Sequence, residues 1–148
     1  MTLKNKFFIQ LLFLLFPFLI LAQSSNLVLT GIMDFTVPSG GNDGKAIHVT
    51  ATDTITDLSL YGIGVANNGG GSDGQEYTFD PISVYPGDNI LVARSISAMS
   101  SYFDTCITEF DHILQATSSI SQNGDDAIEL FYNGNVVETF GDIYLDGT

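Results

Sequence analysis

The sequence predicts an all-β protein, an antiparallel β-sandwich with one short helix packed on it. Three observations lead there. Short runs rich in β-branched and aromatic residues recur along the chain, separated by clusters of Gly, Asn, Asp and Ser. No long stretch carries the 3.6-residue apolar period of an amphipathic helix. Asn133-Gly134 separates two apolar runs and marks a two-residue hairpin, because a type I′ turn needs positive φ at both central positions.

The elements follow in order. Asn26–Val37 (NLVLTGIMDFTV) is a first strand, broken at Gly31, and Ala46–Thr52 (AIHVTAT) is a second after the Pro38–Gly44 loop. Thr54–Ser59 reads as a turn and Tyr61–Ala66 (YGIGVA) as a strand. Asn67–Gly74 (NNGGGSDG) reads as a flexible loop, since four glycines in eight residues disfavour any regular element. Glu76–Phe79 is a short strand closed by Pro81, Tyr85–Asp88 (YPGD) a turn, and Ile90–Ala93 (ILVA) a buried strand. Ile96, Met99 and Phe103 recur at helical spacing and predict one or two helical turns on the sheet. Ile113–Ala116 is a further short strand, and Ala127–Tyr132 with Asn135–Phe140 form the closing hairpin. A plain two-residue turn there pairs Phe131 with Val136, Leu130 with Val137 and Glu129 with Glu138.

Residues 1–22 read as an export signal. Lys4 and Lys6 precede an apolar run, Phe7–Leu21, that is shorter than the roughly 20 residues needed to span a bilayer, and Ala22 offers a small residue for cleavage. The mature chain is then expected to be one domain, 23–148, in a secreted or cell-surface location with no membrane span. Without the signal lysines, 17 Asp plus Glu face only Lys45 and Arg94, a net charge of about -15. Phosphate backbones are gripped by several cations, so direct nucleic-acid binding is not expected. Such acidity suits solubility or cation binding. With Cys106 as the only cysteine there is no internal disulfide, and that thiol is expected to be buried.

The carboxylates of the hairpin read as architecture. Glu129 and Glu138 are expected to be solvated on an outward face, and Asp125 and Asp126 to cap backbone amides in a turn. Calcium is the one cofactor with a candidate site, from hard oxygen ligands in a glycine-rich loop: Asn67, Asn68, Asp73 and Glu76. That loop lacks the spacing of an EF-hand. His48, His112 and Cys106 lack the close spacing of zinc ligands, and a Cys106–His112 nucleophile has no electropositive setting. No catalytic residue is expected.

Motifs shared in order along Leu27–Asp142 resemble the lamin tail domain family. "NGDDAIELFYNGNVVETFGD" resembles its closing signature, "ITDLSLYGIGVAN" and "YTFDPISVYPGDNILVARS" two earlier segments, and "AMSSYF" the short helix that follows them. The chain departs from the family where Tyr61 stands for its tryptophan and "KAIHVTATD" for its second strand. The resemblance implies an immunoglobulin-like sandwich acting as a non-catalytic binding or assembly module of an extracellular protein. It also implies a further strand after Thr148, so the domain is expected to be truncated at its C-terminus. Two alternatives go with it: an accessory domain of an extracellular hydrolase such as a nuclease, whose catalytic part is absent here, and a calcium-dependent adhesin. The protein or polysaccharide partner is not specified by the sequence.

Overall fold

In the computed structural model, residues 25–36 and 41–147 are described; the expected export signal and part of the Pro38–Gly44 loop lie outside them. The strands are β1 (Leu27–Phe35), β2 (Gly44–Ala51), β3 (Tyr61–Ala66), β4 (Tyr77–Thr78), β5 (Asn89–Ala93), β6 (His112–Gln115), β7 (Ala127–Tyr132) and β8 (Asn135–Phe140). They form two four-stranded sheets, ordered β1-β2-β5-β6 and β4-β3-β7-β8. One helix, α1 (Ile96–Phe103), joins β5 to β6 together with a 3-10 segment, Asp104–Glu109. The protein is an all-β sandwich. No helix among the described residues is long and apolar enough to cross a membrane.

Alternation along the strands builds the core. Ile47 and Val49 of β2, Ile90 and Val92 of β5, Ile63 and Val65 of β3, and Ile128 and Leu130 of β7 meet between the sheets, each at most 2% exposed. Burying such a side chain is worth about 2 kcal/mol relative to leaving it in water. The intervening residues of β5, Leu91 and Ala93, pack on the other face against Met99 and Ile107 beneath α1. Apolar neighbours on both faces explain why β5 reads as an unbroken apolar run. Ser95 starts α1 by accepting from the Ala98 amide at 3.2 Å.

One pairing departs from an all-antiparallel reading: β6 runs parallel to β5. The helix-containing connection carries the chain back to the starting end of β5, as a parallel neighbour requires. The hairpin departs too. Asn133 and Gly134 take φ of 49° and 74°, as a type I′ turn requires. Phe131 pairs with Val136 as expected, but a bulge leaves Val137 unpaired, so Leu130 faces Glu138 and Glu129 faces Thr139. The expected Leu130–Val137 and Glu129–Glu138 pairs therefore do not form. A one-residue slip carries every later side chain of β8 to the other face.

Candidate binding site

The glycine-rich segment after β3 is not the loose loop its composition suggests. It turns back across the outer face of β3, where the Glu76 amide donates to the Ile63 carbonyl at 2.9 Å and the Val65 amide donates to the Glu76 carboxylate at 2.9 Å. Gly64 makes the approach possible: a Cβ there would fall 2.2 Å from the Gly74 carbonyl oxygen and 2.9 Å from the Phe131 ring. Under this cover Glu129 is 2% exposed and accepts from the Ser72 hydroxyl at 2.5 Å. The expected solvated Glu129–Glu138 pair is thus replaced by a sealed carboxylate and, elsewhere, an edge cap. Beside the segment, β4 carries Tyr77, whose hydroxyl pKa is pushed up to about 12, chiefly by burial and then by the Asp80 carboxylate.

The four residues proposed as calcium ligands are held by the same cover. Asn67 Nδ2 donates to the Val65 carbonyl at 3.1 Å and lies 3.4 Å from Asp73 Oδ2, so these two are brought together. Glu76 caps Val65, and the Asn68 amide donates to Asp126 at 2.9 Å. Asp126 also accepts from the Asn123 amide at 2.9 Å, the capping role expected of this turn. Among the described residues, no three His, Cys, Asp or Glu side chains are placed to share a metal ion.

Away from this segment, His48, Asp111 and the Asp88–His112 pair lie around Asn89 at the start of β5. His48 packs edge-on against Phe110 and reaches Asn89 Oδ1 at 3.0 Å, whereas His112 lies 3.5 Å from Asp88. Asp111 accepts from the Asn89 amide. Cys106 is exposed rather than buried, because in the Asp104–Glu109 segment Ile107 takes the inward position.

The feature that sequence reasoning missed lies between two sheet edges. β1 is an edge of one sheet and β8 of the other, and a cleft of about 420 Å³ opens between them, lined by Leu29, Thr30, Gly31, Ile32, Asp34, Gly124 and Phe140. That volume falls within the usual range of ligand pockets. The lining is apolar along Leu29, Ile32 and Phe140, and Phe140 stands 60% exposed at its rim. Two side chains from other segments hold the β1 edge: the Leu29 amide donates to Glu138 at 2.9 Å, and Gln122 Nε2 donates to the Met33 carbonyl at 2.9 Å. Behind the cleft, Lys45 is buried, ion-paired with Asp34 at 3.0 Å and donating to the Gln122 carbonyl. The only signal in the sequence was the break at Gly31, where β1 in fact bulges.

Comparison of the chain with protein-family models, curated proteins and solved structures returned no match.

Proposed function

We propose that this is a non-catalytic extracellular binding or assembly module of the immunoglobulin-like kind that its motifs resemble. The observation that carries the reading is the β1–β8 cleft. A large aromatic side chain, Phe140, is left 60% exposed beside a mainly apolar hollow between two edge strands. Aromatic side chains are enriched at partner-binding surfaces, and a concave, mainly apolar hollow is the usual form of a binding site. The export signal read in residues 1–22 supports a contact outside the cell, and the acidity of the mature chain disfavours nucleic acid as the partner. The calcium reading of Asn67, Asn68, Asp73 and Glu76 rests on the Asn67–Asp73 contact alone.

The test is photo-crosslinking in the producing cell. A benzophenone amino acid replaces Phe140 in one variant and Tyr85, equally exposed at 60% but outside the cleft lining, in a second. A discrete adduct with an extracellular protein or glycan from position 140 alone supports the reading. Equal labelling from both positions, or hydrolysis of nucleic acid, glycan or ester by the purified domain, contradicts it.

A further inference from the structure

We propose that the β1–β8 cleft takes a lysine- or arginine-bearing segment of a partner protein, one cationic side chain entering the hollow. The inference rests on the binding-module reading and names its partner chemistry. Charge is the first argument. After residue 22 the chain has 17 acidic residues and only two Lys or Arg, and both of these are engaged within the fold. Lys45 is 6% exposed and held by Asp34 and the Gln122 carbonyl, while Arg94 donates to the Ser121 hydroxyl. A second copy of this chain brings the same charge, and like-charged surfaces repel; a basic partner is steered in.

The shape of the cleft supplies the second argument. Leu29, Ile32 and Phe140 offer apolar surface for an aliphatic stem, and the exposed Phe140 ring offers a face for a cation. Asp34 stands among the lining residues with its side chain 34% exposed. Its Oδ1 is paired with Lys45, and its Oδ2 lies towards Gly124, which has no side chain to block it. A carboxylate with one oxygen committed behind the cleft and the other turned to its wall is suited to a second cation.

The experiment uses the mature domain and short peptides of alternating valine with lysine, or of valine with glutamate, followed by titration calorimetry at about 20 and 300 mM salt. The lysine peptide should bind and weaken with salt, and the glutamate peptide should not bind. Phe140→Ser and Thr30→Arg should each weaken the lysine peptide about tenfold. Phe140→Ser should melt like the parent; Thr30→Arg loses the Thr30 hydroxyl's contacts with the His48 carbonyl and Thr50, so it should melt like Thr30→Val, which loses the same contacts and should keep peptide binding. Asp53→Arg, outside the lining, changes net charge more and should weaken binding less. Losses that follow net charge alone would overturn the proposal by reducing it to bulk attraction. So would dimerisation of the domain through the cleft on sedimentation, or a neutral glucan binding in place of the peptide. A crosslink from position 140 in the cell without lysine-peptide binding would overturn this inference and leave the binding-module reading standing.

Discussion

The closing hairpin meets two very different surroundings. On the outer face of β7, the glycine-rich segment closes over Glu129, and Gly64 lets backbone lie on backbone. At the edge of β8, Glu138 reaches across to the Leu29 amide, Phe140 stands out into solvent, and a hollow remains. Both regions place a carboxylate where it satisfies a donor. They differ in what lies opposite: Gly64 lets the covering segment lie directly on β3, whereas at the cleft no segment covers the lining of Leu29, Ile32 and Phe140 among the described residues. Closure of this kind serves the fold, and the unclosed gap is where we propose that a partner binds.

The largest effect should come from forcing the closed region open. Gly64→Val puts atoms where the Gly74 carbonyl lies and should cost about 3 kcal/mol in chemical denaturation, with lysine-peptide binding unchanged once the protein is folded. Next is alkaline pH. Tyr77 keeps its proton to about pH 12 in the fold but to only about pH 10 when unfolded, so unfolding releases it more readily between those values. Its contribution is present in full below pH 10 and is lost as pH rises to 12. Tyr77→Phe should flatten that part of the stability–pH curve, by on the order of 2 kcal/mol at most. Ser72→Ala leaves the buried Glu129 without its hydroxyl donor and should cost about 1.5 kcal/mol, measured in the same way.

On the open side the expected changes in stability are small. Phe140→Ser removes an exposed ring and should alter stability by less than about 0.5 kcal/mol while weakening peptide binding. Smallest of all is calcium. The loop of Asn67, Asn68, Asp73 and Glu76 is already held by Val65, Asp126 and the tail, where the Gly71 amide donates to the Ile143 carbonyl. Millimolar calcium should move the Tm by less than about 1 °C. A rise of several degrees, abolished by Asp73→Asn, would make that loop a cation site and would reverse the assignment of the two regions.

Much of the fold was legible wherever local chemistry fixes it. Asn133-Gly134 dictates its turn, β2 and β5 announce themselves by composition, and Asp126 caps backbone amides as its turn sequence implies. The rest depends on distant partners. Glycine serves equally in a loose loop and under a close backbone, so NNGGGSDG could not show that it lies on β3. The bulge at Val137 has no local marker, yet it separates Glu129 from Glu138 and sends Glu138 to β1. The parallel placement of β6 and the exposure of Cys106 follow from the helical crossover and not from their own sequence. The cleft was hidden for the same reason: its lining comes from β1, the turn at Gly124 and the end of β8, which only the packed sandwich brings together.

The most direct measurement is an amide chemical-shift map of the mature domain titrated with the lysine–valine peptide. The expected result is saturable shifts confined to Leu29–Asp34, Gly124 and Phe140, with Asn67–Glu76 unmoved. Shifts centred on Asn67–Glu76, or spread over the acidic surface without saturation, would contradict the account.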